Sequence, residues 1–126
     1  MILTLLFALA SCSEENPWET AKYTEDTSLG EGATTFTLIV EVLEHSVTFT
    51  VNTDEKTVGD ALLKLGVIEG VDSQYGLYMK KVNGVLADYD KNQRYWAFYI
   101  NNEYASSGVD LTEIKNGETY KLVYSK

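Results

Sequence analysis

The chain has 126 residues, of which 44% are hydrophobic and 23% are charged, and this combination suits a single globular domain with its own core. Nineteen acidic residues against ten basic ones give a formal net charge of −9. The chain therefore lacks the cationic surface that neutralises phosphates, and we expect no nucleic-acid partner. One cysteine excludes an internal disulfide, and one histidine excludes most zinc sites, which use three or four nitrogen or sulfur ligands.

Residues 1–11 have the character of a secretory signal peptide. They are uncharged and almost entirely apolar, and Cys12 follows them directly. Eleven residues are too few for a helix that crosses about 30 Å of hydrocarbon, but they suit a signal-peptide apolar region. Such peptides normally begin with Lys or Arg, which residues 1–11 lack, so two starts stay open, at Met1 or upstream of it. The alternative is a buried core segment that ends in cysteine.

The four residues LASC (9–12) resemble a bacterial lipobox. That resemblance implies cleavage before Cys12 and attachment of acyl chains to its thiol. Two or more chains make a lasting membrane tether, because each buried methylene contributes about 0.8 kcal/mol. The protein is therefore expected to be anchored by lipid on the extracytoplasmic face of a bacterial membrane.

Residues 12–35 are predicted to be a flexible acidic spacer. They hold six acidic residues, one basic residue and the only proline, and this composition buries too little apolar surface to offset the entropy of the chain. Trp18 and Tyr23 are exceptions, suited to packing on the domain or to contact with lipid headgroups. The domain itself is expected to span residues 36–126.

Two alternating runs and one helical pattern open the domain. Residues 36–42 and 47–52 alternate apolar and polar side chains, which predicts a hairpin joined at 43–46. Thr57 is a helix N-cap with Asp60 three residues later, and Gly66 is a suitable stop. The helix between them presents one apolar face, formed by Val58, Ala61, Leu62 and Leu65.

The rest of the chain predicts hairpins. Residues 66–75 suit an acidic loop, and a second acidic loop follows near residue 88. Strands are expected over 75–82, 95–100, 103–105 and 119–124, with turns at Asn83-Gly84, Asn101-Asn102 and Asn116-Gly117. A hairpin, one helix and further hairpins indicate an α+β domain in which a short helix packs across a mixed sheet, of the β-grasp type.

The sequence offers little for catalysis, and we expect no enzyme. It has neither a nucleophile elbow nor a phosphate-binding loop, and His45, at the tip of the first hairpin, suits a solvated turn residue. The acidic loops leave one alternative open, a hard cation held by Asp72, Asp88 and Asp90. These residues lack the spacing of an EF-hand loop.

Aromatic residues are concentrated between positions 75 and 104, where six of the nine tyrosines lie. Strands favour aromatic residues in any case, but one core cannot take both faces of strand 95–100. If Trp96, Phe98 and Ile100 face the helix, then Tyr95 and Tyr99 face outward; the opposite orientation would place Trp96 on the binding side. Either arrangement predicts an aromatic surface for a ligand or partner, with Tyr78 and Tyr104 nearby.

Seven motifs occur in the order TVGDAL (57–62), GV (66–67), YGLY (75–78), VNG (82–84), YWAFYIN (95–101), YASSGV (104–109) and NGET (116–119). This series, covering about residues 36–125, resembles the C-terminal β domain of transcobalamin and intrinsic factor, known in bacteria as the DUF4430 family. The resemblance implies capture of cobalamin, or of a related tetrapyrrole. It places ligand contacts at Tyr95, Trp96, Tyr104, Ala105, Ser106 and Ser107, and no cofactor is required.

The family's carriers close this domain over a ligand that rests on a helical barrel, and this chain has no counterpart of that barrel. The resemblance therefore implies a partner protein that supplies the second wall of the site. Two other functions stay open: an adhesion or protein-interaction module that uses the same aromatic surface, and a metal-binding surface protein that uses the acidic loops.

Overall fold

The computed structural model describes residues 16–126, so the expected signal peptide and Cys12 lie outside the described residues. The strands are β1 (Thr27–Leu29), β2 (Thr34–Val42), β3 (His45–Thr53), β4 (Ile68–Ser73), β5 (Gly76–Val82), β6 (Val85–Leu86), β7 (Tyr95–Ile100), β8 (Glu103–Tyr104) and β9 (Thr119–Ser125). The helices are α1 (Val58–Lys64) and α2 (Tyr89–Asn92), with 3₁₀ turns at Pro17–Thr20 and Val109–Leu111.

Two open sheets organise the domain. The larger sheet has the order β1-β3-β2-β9-β7-β8, in which β1 runs parallel to β3 and β2 runs parallel to β9. The smaller sheet, β4-β5-β6, is antiparallel. This architecture confirms the predicted α+β class with a mixed sheet and one short helix.

One face of the larger sheet carries the core. Alternation places Phe36, Leu38, Val40 and Val42 of β2 on that face, and each is at most 1% exposed. Helix α1 adds Val58, Ala61 and Leu62 to the same cluster. The side chain of Thr57 accepts a hydrogen bond from the Asp60 N–H at 3.1 Å, so the predicted N-cap is confirmed.

Tyr120 lies at the centre of this core and is fully buried. Its ring meets Phe36 edge-on at 5.3 Å, and its hydroxyl oxygen accepts a hydrogen bond from the Lys115 N–H at 3.1 Å. Burial raises the pKa of Tyr120 above its usual value, the Lys115 hydrogen bond lowers it, and the nearby Glu118 carboxylate raises it further. The net direction is upward, so the native state favours the neutral phenol.

The tight turns follow the sequence prediction. Asn83 and Gly84 have φ of 52° and 82°, as the two-residue turn between β5 and β6 requires. Asn101 and Asn102, at 51° and 70°, turn β7 into β8. Asparagine tolerates this left-handed region better than other residues that carry a side chain.

The expected loop over 66–75 is wrong, because Ile68–Ser73 forms strand β4. This strand lies at the edge of the smaller sheet, and its register shifts between Glu69 and Gly70. An exposed edge strand tolerates charge and glycine, so it shows none of the alternation that identifies a half-buried strand.

The expected flexible spacer is also corrected, for the part of it that the structure describes. Residues 16–29, which we call the N-terminal strap, fold onto the domain. Trp18 stacks on His45 at 5.2 Å between ring centroids, Tyr23 meets Phe49 edge-on at 5.4 Å, and β1 pairs with β3. A few aromatic anchors and a short parallel pairing hold a segment whose average composition is polar. Among residues 16–126, no helix has the length and apolar character needed to cross a membrane.

Candidate functional site

A cleft of about 390 Å³ lies between strands β5 and β7 of the two different sheets. The segment that follows β8 closes one side of it. The lining residues are Leu77, Tyr78, Met79, Tyr95, Trp96, Phe98, Tyr104, Ala105, Ser106, Ser107 and Gly108. Seven of the eight candidate ligand residues named from the sequence therefore meet in one cleft.

Trp96 joins the two walls. It lies on the inner face of β7 and is 6% exposed, and its indole Nε1 donates a hydrogen bond to the Lys80 carbonyl oxygen of β5 at 3.3 Å. Its ring packs against Tyr124 at 5.5 Å. Trp96 and Phe98 therefore face the core, as the first of the two orientations predicts, and Trp96 also lines the cleft.

The β5 wall is fixed by helix α2. The Tyr78 hydroxyl oxygen accepts a hydrogen bond from the Tyr89 N–H at 3.2 Å. Asp88, only 4% exposed, accepts a hydrogen bond from the Asp90 N–H at 3.1 Å and lies 3.5 Å from the Lys80 ammonium. These contacts hold the β5 wall, and one of them uses the hydroxyl group of Tyr78, a residue that lines the cleft.

The third side of the cleft follows the Asn101-Asn102 turn. The Ala105 N–H donates to the Phe98 carbonyl oxygen at 2.9 Å, which sets Ala105, Ser106 and Ser107 beside β7. Ser106 and Ser107 are exposed, so their hydroxyl groups are available to a ligand.

The backbone of β7 adds polar groups to the cleft. Strand β8 pairs only with Tyr99 and Ile100, and the Phe98 carbonyl points toward that same edge. Because backbone groups alternate along a strand, the N–H and C=O of Trp96 point to this edge as well. No strand of the described residues pairs with them at this edge.

Tyr99 is the candidate that the structure separates from the others. It faces the opposite side of the larger sheet, beside Glu41, Lys121 and Val123. Its ring meets that of Tyr104 at 5.5 Å, edge to face. Tyr99 has the same parity on β7 as Tyr95, but it lies four residues further along the strand and is not among the residues that line the cleft.

The alternative metal site is not assembled. Within residues 16–126, no group of three or more His, Cys, Asp or Glu side chains is placed to hold a metal ion. Asp88 is committed to capping α2 and to Lys80, Asp90 follows it in the first turn of α2, and Asp72 lies on β4. His45 is a half-exposed residue at the start of β3 whose ring stacks on Trp18, rather than a free turn residue.

Sequence reasoning missed four residues of the cleft. Leu77, Met79, Phe98 and Gly108 line it, although Phe98 was assigned to the core alone. The YGLY and YASSGV motifs contain two of the four, so the motifs marked the right segments. Only the approach of β5 to β7, which the sequence does not reveal, brings those segments together.

Comparisons with known proteins agree with this fold. Residues 55–126 match the family model described as "Domain of unknown function (DUF4430)", and no curated protein matches the chain. A crystal structure from Ruminococcus gnavus ATCC 29149, described as a "putative metal binding protein", is similar with a TM-score of 0.70 and 24% identity, over 75% of this chain and 98% of that one.

Another similar structure is that of haptocorrin in complex with Cbi. It has a TM-score of 0.55 and 20% identity, over 74% of this chain and 25% of that one. This chain thus spans about a quarter of the length of haptocorrin, and the likeness is one of fold. The expected resemblance to the transcobalamin β domain is confirmed at that level.

Proposed function

We propose, starting from the fact that this chain belongs to the DUF4430 family, that it is a lipid-anchored, extracytoplasmic binding protein without enzymatic activity that captures a corrinoid or a related tetrapyrrole. The observation that carries the proposal is the convergence of seven candidate ligand residues on the cleft between β5 and β7. The aromatic density of residues 75–104 and the family resemblance both point to these residues.

The lining suits a flat macrocycle with a polar rim. Tyr78, Tyr95, Trp96 and Tyr104 offer aromatic surface, and Met79 adds a polarisable apolar contact. Ser106, Ser107 and the backbone of Trp96 supply donors and acceptors along one side. Binding sites for small molecules typically combine a mostly apolar lining with a few placed polar groups.

The size of the cleft implies a second protein. At about 390 Å³ the cleft is at the small end of ligand pockets, and it is open to solvent. A corrinoid seated here keeps much of its surface exposed, and a partner that covers this surface would raise affinity. The similarity to one quarter of haptocorrin, a protein solved with Cbi, supports this division of the site.

The anchor belongs to the same proposal. If acyl chains are attached to Cys12, three residues separate it from Asn16, where the described structure begins. The four Cα-to-Cα steps from Cys12 to Asn16 span at most about 14 Å, so the strap would hold the domain close to the membrane surface. Capture at a surface raises the local concentration of ligand for a membrane-bound partner.

The test uses the mature chain with Cys12→Ser, which keeps the protein free of lipid. It is titrated with cyanocobalamin, with haem and with divalent metal ions, while absorbance and melting temperature are recorded. Ligand that binds only the native state raises stability by RT ln(1 + [L]/Kd), so even weak binding is measurable. We expect cyanocobalamin to shift both readings.

The double variant Tyr95→Ala with Tyr104→Ala should lose that response. Tyr75→Ala is the matched control, because Tyr75 is 88% exposed at the turn between β4 and β5 and does not line the cleft. A response to metal ions alone would instead favour a metal-binding function. If no ligand binds, the adhesion or protein-interaction alternative becomes the stronger one.

A further inference from the structure

We infer that Asp110 forms a donor-recognising subsite at one end of the cleft, where its carboxylate accepts hydrogen bonds from amide or ammonium N–H groups of the ligand. The inference rests on the proposed function, because it concerns the same cleft. It goes further because it specifies that the ligand group at this end is a hydrogen-bond donor.

Two glycines frame the carboxylate. A Cβ added to Gly108 would lie 3.0 Å from Asp110 Oδ1, and one added to Gly76 would lie 3.0 Å from Asp110 Oδ2. Gly108 lines the cleft, and Leu77, the neighbour of Gly76, lines it too. The carboxylate is therefore adjacent to Gly108, a residue of the cleft lining, although Asp110 itself is not among the lining residues.

The backbone does not require glycine at position 108. Its φ of −75° and ψ of 173° are open to any residue, whereas Gly76 has φ of 107°, which favours glycine. The only atom that a Cβ at 108 would meet within 4 Å is the Asp110 oxygen. A side chain at position 108 would thus crowd the carboxylate, and glycine avoids this contact.

The carboxylate has unused capacity for hydrogen bonds. Its residue is half-buried, and no side chain or N–H group among residues 16–126 donates a hydrogen bond to it or forms an ion pair with it. An ionised carboxylate accepts at two oxygens, and bonds to charged groups are stronger than neutral ones. A ligand N–H at this end of the cleft would supply the missing partner.

The backbone that carries Asp110 is held firmly. The adjoining Val109 is 1% exposed in the core, and the Leu111 N–H donates to the Gly108 carbonyl at 3.1 Å. On the other side, Gly59 of α1 packs so closely that a Cβ there would lie 2.9 Å from Asp110 Cα. The group is thus placed before the ligand arrives, which reduces the entropy lost on binding.

This geometry distinguishes corrinoids by the groups at the ends of their side chains. A corrinoid whose side chains end in amides presents N–H donors to Asp110, whereas one whose side chains end in carboxylates presents negative charge to it. We therefore expect binding of cyanocobalamin, which carries amides, in preference to cobyrinic acid, which carries carboxylic acids at the corresponding positions.

The experiment measures the affinity of the mature Cys12→Ser chain for both corrinoids at neutral pH. Asp110→Asn should weaken cyanocobalamin binding about tenfold or more and reduce the preference over cobyrinic acid, because one charge-assisted interaction is lost. Gly108→Ala should weaken cyanocobalamin binding in the same direction by crowding the carboxylate. Glu113→Gln is the matched control, since it removes the same charge from an exposed residue three positions away.

Melting curves verify that each variant is folded, and Gly108→Ala carries the test should Asp110→Asn fail to fold. Binding of cyanocobalamin that neither substitution changes would overturn the subsite and leave the proposed function intact. A wild-type chain that binds no corrinoid would overturn both. An equal loss in Glu113→Gln would show that net charge, and not Asp110, sets the preference, and would also overturn the subsite.

Discussion

Asn83 and Tyr23 exchange two hydrogen bonds although 60 positions separate them in the sequence. Asn83 Oδ1 accepts from the Tyr23 N–H, and Asn83 Nδ2 donates to the Tyr23 carbonyl oxygen, each at 2.9 Å. Asn83 is fully buried, so this pair acts as an internal substitute for a strand pairing. It fastens the N-terminal strap to the turn between β5 and β6.

Asn83→Gly should lower the free energy of unfolding by about 1–3 kcal/mol. Glycine accepts the positive φ of this turn, so the loss reports the two missing hydrogen bonds and not backbone strain. Asn102→Gly is the control: Asn102 also has a positive φ, of 70°, but it is exposed. Urea denaturation of the two variants should show a loss only for Asn83→Gly.

A chain that begins at Asn16 should unfold like the mature protein, whereas one that begins at Thr34 should be less stable by several kcal/mol. The shorter chain loses the β1–β3 pairing and uncovers Phe49, which is fully buried in the structure. Thermal unfolding monitored by circular dichroism measures the difference. Equal melting temperatures would show that the N-terminal strap does not stabilise the domain and acts as a spacer.

Phe98→Ala and Tyr104→Ala should distinguish a core residue, which stabilises the fold, from an exposed residue, which contacts the ligand. Phe98 is 6% exposed, so its truncation should cost about 3–5 kcal/mol of stability. Tyr104 is 66% exposed, so its truncation should cost less than about 1 kcal/mol of stability but more than that in ligand binding. Chemical denaturation and ligand titration on the same preparations give both quantities.

Tyr120→Phe should change how the free energy of unfolding depends on pH above about pH 10. Because the pKa of Tyr120 is raised in the folded state, its contribution is fully present below the unfolded pKa of about 10 and is lost as pH rises through the folded pKa. Phenylalanine cannot ionise, so the stability difference between the two proteins should shrink above about pH 10. At neutral pH the variant should lose about 1 kcal/mol, since the Lys115 N–H loses its acceptor.

Cys12→Ala should leave the precursor uncleaved or release the protein into soluble fractions. The lipobox resemblance predicts that the thiol carries the lipid, and alanine cannot form the thioether. Membrane fractionation followed by intact-mass measurement of the N-terminus tests this directly. An unmodified Cys12 on membrane-associated protein would contradict the prediction.

The sequence correctly predicted those elements of the fold that depend on residues close to one another in the chain. The Thr57 cap, the Asn83-Gly84 turn and the alternation over 36–42 each depend on residues close in sequence, and each is confirmed. Strand β1, three residues long, exists only because β3 lies beside it, so no local pattern identifies it. Strand β4 is an edge strand, where polar residues are stable in contact with water.

The candidate site was predictable to the level of segments. Residues 95–96 and 104–107 were chosen correctly as neighbours, because a hairpin connects them. The β5 wall depends on how the smaller sheet approaches the larger one, which is a tertiary relationship. Asp88 illustrates the limit: its sequence context suggests a solvated loop carboxylate, yet it is a buried cap that pairs with Lys80.

The two walls of the cleft belong to different sheets, and this has a kinetic consequence. No ladder of backbone hydrogen bonds ties β5 to β7 in the described structure, and the Trp96 indole spans them as a strut. The spacing of the walls can therefore change without rupture of a strand pair, provided that the Trp96 hydrogen bond to the Lys80 carbonyl oxygen breaks or lengthens. If the cleft binds a ligand as proposed, substitutions in its lining should change the dissociation rate more than the association rate.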